Sequence, residues 1–353
     1  MKRFLLLALS LALSVSFSQE LSLSEALAAA ESRTAVVNAR LAQADAQLAF
    51  GRTQLDPLAL RLEFTQAEQR ALLTQAELTQ ARYQARADIS AAYTQLLEAQ
   101  AQLELAGLAR DIAEQNLSIT QIRFERGSAT LLDVQETENA LEDARNTLRS
   151  AQQGVGLALT SLASLIPQPF ELALPVPDAS LPELPPLDEV RANLSNLPAL
   201  LQVQQAADLA AISLDLLDPS YASQSQLDNA RLQAEQAAES AAEAKRALDI
   251  QAQALYNTAS SAAETLEIRR DALANARERE ALERQRLDAG LIAEINLKQA
   301  QLATQQAEIA ALQAEHAYLN AMLDLQAGTM TALGGNLAQG PAAESAPEED
   351  ADE

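Results

Sequence analysis

The sole histidine, His316, lies in Glu315-His316-Ala317-Tyr318, and the chain has no cysteine. A lone imidazole without thiolates leaves only carboxylates to complete a transition-metal site, a weak arrangement for zinc. His316 therefore reads as a structural residue of a helix. Glu136/Glu138 and Glu278/Glu280 are residue types suited to general acid–base work. A spacing of two points them to different helix faces, so both pairs read as solvated. Gly154 and Gly156 do not fit a phosphate loop, because no strand precedes them. The expectation is a protein that is not an enzyme, with no catalytic residues, no metal site and no cofactor.

Composition describes what replaces a catalytic core. Hydrophobic residues make up 48% of the chain but aromatics only 3%, with no tryptophan. The apolar residues are mostly Ala and Leu set among Gln, Glu and Arg, the composition of long helices and coiled coils. A formal charge of −24 excludes nucleic acid, which requires a basic face. Such a surface either favours cationic partners or keeps the protein soluble.

Proline and glycine then mark out the elements. Seven of the twelve prolines fall between Pro167 and Pro186, and none between 58 and 166 or between 220 and 340. Two long segments are thus free of the strongest helix breaker. Each has one sharp break, around Gly127 in Arg123-Phe124-Glu125-Arg126-Gly127 and around Gly290 in Arg286-Leu287-Asp288-Ala289-Gly290. Glycine takes the left-handed conformation that ends a helix, and Thr130 and Asp133 suit the cap of the returning one. Gly127 and Gly290 are 163 positions apart, while Leu55-Asp56-Pro57 recurs as Leu217-Asp218-Pro219 at 162. Two landmarks of different type at nearly one offset indicate an internal duplication.

Ile89, Leu96 and Leu103 recur every seven residues, as do Ala92, Ala99, Ala106 and Ala113, the period of a coiled coil. Gly107 weakens this helix by about 1 kcal/mol relative to Ala without ending it. A helix over 67–125 would be about 90 Å long. Helices 23–50 and 131–165 together nearly match it, and 199–217 with 293–327 approach the length of 220–287. Two shorter helices stacked end to end thus lie beside one long one, giving two rods per copy and four per chain. Rods this narrow enclose no globular core, so their apolar stripes must be buried against other copies. The segment Leu58-Ala59-Leu60-Arg61-Leu62-Glu63-Phe64 alternates like one short strand at best.

The ends of the chain read as processing and tail segments. Lys2 and Arg3 precede an apolar run from Phe4, and Ser16 and Ser18 sit three and one positions before Gln19. Residues 1–18 are expected to be a secretory signal peptide, with no cysteine for a lipid anchor. The expected organisation is a first hairpin repeat at 19–166, a proline-rich linker at 167–187, a second repeat at 188–328, and a disordered acidic tail at 329–353.

On the duplication, the two helical hairpins and the turns Arg123–Gly127 and Arg286–Gly290, residues 21–328 resemble the TolC-type outer-membrane efflux factors. Gly290-Leu291-Ile292 is near that family's tip, whereas Ser128-Ala129 departs from it. The resemblance implies an all-α protomer of two tandem long hairpins, three of which form a periplasmic tunnel as a homotrimer. It implies that tips at Gly127, Gly290, Leu291 and Ile292 dock a periplasmic adaptor and an inner-membrane transporter, in the periplasm and outer membrane of a double-membraned bacterium. The family also carries a β-hairpin in each copy for its outer-membrane barrel. A crossing strand needs about 9–11 residues, and neither the stretch from Phe50 to Gln66 nor Ser220 to Gln226 supplies two. Little or no barrel is expected, so the tunnel would meet a separate outer-membrane barrel. The function implied is a conduit subunit of a tripartite efflux or type I secretion system. The alternative is a non-conducting coiled-coil spacer of the envelope. A periplasmic adaptor is disfavoured, since no β-rich stretch is available for its other domains.

Overall fold

The computed structural model of the chain describes residues 20–166, 171–172 and 181–333. The expected signal peptide, most of the linker and the tail from 334 onward lie outside the described residues.

The first copy begins with a two-residue strand β1 (Glu20–Leu21), a short helix α1 (Leu23–Ala28) and a 3-10 turn (Ala29–Ser32). Then come α2 (Thr34–Leu55), α3 (Arg61–Glu125) and α4 (Leu131–Leu165). The second copy has α5 (Leu187–Asn193), α6 (Pro198–Asp215), α7 (Gln224–Asp288) and α8 (Glu294–Thr329). Strand β2 (Glu171–Leu172) pairs in parallel with β1, the only strand pairing among the described residues. The expected helix 23–50 is broken at the 3-10 turn, where Arg33 adopts extended backbone, and its second part runs on to Leu55.

The helices form four rods in one row, and the antiparallel levels can be read from individual contacts. Against α3, the upper partner in the first copy is α2, with Phe50 tilted against Phe64 at 5.5 Å, preceded by the 3-10 turn, whose Glu31 pairs with Arg82. Below it α4 takes over, its Leu162 packing with Ile89, Tyr93 and Leu96. On the other side of α3, α6 sits above α8: Arg61 pairs with Asp215, and Gln205 Nε2 donates to the Gln69 carbonyl oxygen at 2.9 Å. Helix α7 lies outermost, against both α6 and α8. The row therefore runs α2/α4, α3, α6/α8, α7.

Both long helices have 65 residues, about 98 Å each at 1.5 Å per residue. The helices beside α3 have 22 and 35 residues, and those beside α7 have 18 and 36, so the end-to-end stacking expected from sequence holds. The seams keep the seven-residue period: Val134, Leu141 and Leu162 of α4 are buried against α3, while on α7 Ala259 and Leu266 pack with α8 and Ala252 packs with α5, α6 and Leu325 of α8. At the seam between α7 and α8, a side chain on Gly328 would meet Leu255 Cδ1 at 2.5 Å.

Two expectations need correction. Residues 58–64 contain no strand, since α3 starts at Arg61 rather than near 67. The Leu60 N–H donates to the Glu63 carboxylate at 3.2 Å, so Glu63 satisfies one of the free donors at the helix start. The alternation of Leu58, Leu60 and Leu62 gave a two-residue period that this cap overrides. The chain also stays packed beyond Thr329. Thr329, Thr331 and Leu333 are buried, and Thr329 Oγ1 bonds both the Leu325 carbonyl and Thr331 Oγ1.

Candidate functional site: the hairpin tips and the open edges

Each hairpin turns by one mechanism. At the first tip, the Ser128 N–H donates to the Arg123 carbonyl at 2.8 Å and the Gly127 N–H to the Phe124 carbonyl at 2.9 Å. At the second, Leu291 donates to Arg286 and Gly290 to Leu287, both at 2.8 Å. This double bond pattern closes a helix through a left-handed residue. Gly127 has φ +71° and Gly290 φ +69°, a region where any Cβ is strained.

The two tips lie at the same end of the row. Helix α8 runs antiparallel to α3, with Asn320 beside Ser90 and His316 beside Glu98. Further down, Gln115, Ser118 and Ile119 share a recess with Ala293, Glu294 and Ile295.

The surfaces of the tips differ. Leu291 is 74% exposed, and Ile292 is half-buried behind it. The corresponding Ser128-Ala129 offers no such pair, but Leu131 and Leu132 are 60% and 61% exposed at the start of α4. Phe124, Ile122 and Ile119 are also exposed on the approach from α3. Sequence reading missed these residues because the duplication offset points to Ser128-Ala129, not to positions three residues on. The available signal was two leucines directly after the capping Thr130.

Capping differs too. The Asp133 N–H donates to Thr130 Oγ1 at 3.1 Å, while the Thr130 N–H and hydroxyl both donate to Asp133 Oδ2, at 2.7 and 2.9 Å. These bonds, the backbone one foremost, hold the Asp133 carboxyl below its usual value of 3.8. At the second tip Ala293 occupies the cap position and supplies no side-chain bond.

The opposite end repeats a different device. Asp56 Oδ1 accepts from the Leu58 N–H at 2.9 Å, and Asp218 Oδ1 from the Ser220 N–H at 2.7 Å. The duplicated Leu-Asp-Pro sequences thus make matching Asx turns that join the helices directly. No β-hairpin follows Pro57 or Pro219.

The residues with chemical potential are placed without a common site. His316 lies in the seam between α3 and α8 with Nδ1 at 2.9 Å from Glu98 Oε1. Gly154 and Gly156 lie inside α4. Among the described residues no cluster of three or more metal-ligating side chains occurs. An open groove of about 670 Å³ runs over α8, with Arg270 bonded to Glu315 and Arg277 to Glu308 along its rim. These four charged groups are paired to each other, and no nucleophile and base are brought together.

Apolar side chains are also bare on the two outermost rods of the row. Leu41, Leu48 and Leu55 of α2, seven residues apart, are exposed, as is Leu157 of α4. On α7, Leu232, Ile250 and Ile268 are exposed at intervals of eighteen, five turns of a straight helix.

Residues 55–167 match the family described as outer membrane efflux protein. The fold is that of solved outer membrane channels. The outer membrane protein VceC of Vibrio cholerae matches with a TM-score of 0.62 at 14% identity, over 90% of this chain and 96% of that one. The open-state MtrE outer membrane channel of Neisseria gonorrhoeae matches at 0.60 and 15% identity, over 90% and 91%. The CmeC outer membrane channel of Campylobacter jejuni matches at 0.60 and 10% identity, over 87% and 85%. No curated protein sequence matches. Residues 55–167 are thus similar to the outer membrane efflux proteins, and the row of duplicated hairpins has the fold of the solved outer membrane channels over most of the chain.

Proposed function

We propose that the chain is the conduit subunit of a tripartite efflux or type I secretion system and acts as a homotrimer whose rods close into a tunnel. The observation that carries this reading is the open row of four rods with two unlike bare sides. A surface on α7 cannot be covered by the same surface of another copy while α2 and α4 stay bare, so contact runs head to tail. Head-to-tail contact closes as a ring when the rotation permits. Three copies of four rods give a ring of twelve, in keeping with the homotrimeric tunnel that the resemblance implies.

Residues 1–18 direct export, and the tail begins after the packed Leu333. In the assembled ring the tips around Gly127, Gly290, Leu291 and Ile292 face a periplasmic adaptor and an inner-membrane transporter. Apolar side chains this exposed at a turn call for a cover. Sedimentation of the exported protein tests assembly: a trimer is expected, and a stable folded monomer at micromolar concentration overturns it. Loss of the gene is expected to sensitise cells to drugs or block secretion of a substrate.

The second reading, a non-conducting spacer of the envelope, is favoured by the opposite end. The loops at 56–60 and 216–223 are shorter than one crossing strand. Backbone groups in lipid must pair internally, so a partial barrel with open edges is no compromise. In the conduit reading a separate outer-membrane barrel continues the tunnel. Purified protein alone is therefore expected to form no channels in planar bilayers, and reproducible single-channel conductance would show that it spans the membrane unaided.

A further inference from the structure

We infer that a buried polar ladder between α3 and α8 fixes the register of the two copies against each other. Ser90 Oγ donates to Asn320 Oδ1 at 2.8 Å, and Asn320 Nδ2 donates to Thr94 Oγ1 at 3.2 Å. Thr94 Oγ1 donates in turn to the Ser90 carbonyl at 2.9 Å. One turn further along, His316 Nδ1 lies 2.9 Å from Glu98 Oε1. Ser90, Thr94 and Glu98 are spaced by four on α3, and Asn320 and His316 by four on α8, so the rungs follow one face of each helix. Ser90, Thr94 and His316 are all buried.

The position of this ladder gives it its role. The seams α3/α4 and α7/α8 are heptad seams of Ala, Leu and Val, and their register is set by the tight turns at Gly127 and Gly290. The α3/α8 seam joins the two copies, and no turn sets it; the chain passes between them through the proline-rich stretch after Leu165. An apolar heptad seam accepts a slip of seven residues with little loss of contact, and a buried polar residue is the device that forbids it. A slip of seven carries Asn320 from Ser90 and Thr94 to Tyr83 and Ala87, or to Leu97 and Ala101. His316 would move from Glu98 to Ala91 or Leu105. Neither register restores the bonds, and polar groups left buried without partners are costly. The slip would offset the two tips by about 10 Å, so the ladder keeps them level. This inference concerns how the copies are joined and stands whether or not the protein conducts.

The absence of native cysteine permits a direct test on the full-length exported protein by introduced cysteine pairs. Ser118→Cys with Glu294→Cys reports the observed register, and Ser118→Cys with Gln301→Cys or Asp111→Cys with Glu294→Cys reports the two slipped ones. In the native background only the first pair is expected to oxidise to an intrachain disulfide. With Ser90→Ala, Thr94→Val and Asn320→Leu together, a slipped pair is expected to cross-link while helical circular dichroism and Tm are kept. Replacing a whole polar set by apolar groups need not destabilise. If the triple variant loses helicity, the milder Thr94→Ala with Asn320→Ala is cross-linked instead, with the same expectation. A folded variant that forms only the first disulfide overturns the inference.

Discussion

The two tips share a backbone and differ in nearly everything attached to it. Gly127 and Gly290 have φ values within 2° of each other and close their helices with the same pair of bonds. Beyond the glycine the copies part. The first returns through a capping box built from Thr130 and Asp133 and exposes Leu131 and Leu132 inside α4. The second returns through an uncapped Ala293 and exposes Leu291 within the turn itself. Duplication preserved what the chain needs in order to reverse, and left open what each tip presents to a partner. A ring of three would therefore alternate two kinds of tip.

The largest expected effect lies in that surface difference. Leu291→Asp with Ile292→Asp is expected to abolish partner docking and the cell phenotype while leaving the trimer folded, since Leu291 buries little within its own chain. The matched change, Leu131→Asp with Leu132→Asp, tests whether the first tip shares the task. Pull-down of the adaptor and drug-sensitivity assays read both. If the second-tip variant behaves as native, Leu291 and Ile292 serve only their own hairpin.

Next in size is the shared backbone. Gly127→Val and Gly290→Val each force a β-branched residue into the left-handed region, at a cost of about 1–2 kcal/mol. A Cβ added at either glycine would meet nothing within 4 Å, so strain alone should act and the two losses should agree. Chemical denaturation measures them. Unequal losses would mean that one turn relaxes where the other does not.

The turns were legible in the sequence because their determinants are local. A left-handed glycine, a Thr-x-x-Asp cap and Leu-Asp-Pro each act within six residues, and α4 begins and ends where its cap and Pro167 place it. The ladder was not legible: Ser90 and Asn320 are 230 positions apart, and nothing near either of them names the other. His316 could be read as structural, but its partner Glu98 could not. The same limit hid the bond from the Tyr318 hydroxyl to the Pro182 carbonyl at 2.6 Å, which ties the linker's described end to α8. At the tips, the offset that reveals the duplication points away from Leu131 and Leu132, because the exposed apolar pair sits three positions later in the first copy.

Capping comes third. Thr130→Ala removes the side-chain acceptor at the start of α4 and is expected to cost about 1 kcal/mol. Ala293→Ser, at the equivalent place before α8, supplies an acceptor that the second tip lacks and should stabilise by about 0.5–1 kcal/mol. Opposite signs at the two tips, read by denaturation midpoints, would establish the asymmetry as energetic. Two neutral results would reduce it to geometry.

The smallest effect is a pH dependence confined to the first tip. Hydrogen bonds from the Thr130 N–H and hydroxyl favour the charged form of Asp133 and lower its pKa from 3.8, against an opposing desolvation and with a smaller contribution from the nearby Arg123 in the same direction. A group whose folded value is depressed adds stability that is fully present above its unfolded value and disappears as pH falls through the folded one. The cap contribution should hold down to about pH 4 and fade below it, as the protonated carboxyl loses its preference for the Thr130 donors. Asp133→Asn can still accept a hydrogen bond but cannot titrate, so it should remove the pH dependence while keeping much of the cap. The second tip has Asn296 at the matching place and no capping hydroxyl, and serves as the internal control. Local hydrogen exchange at the start of α4, compared with the start of α8 between pH 5 and 3, should show protection falling only at α4. An equal fall at both tips would assign the acid sensitivity to the rods as a whole, and would leave the contrast between the caps resting on Thr130 alone.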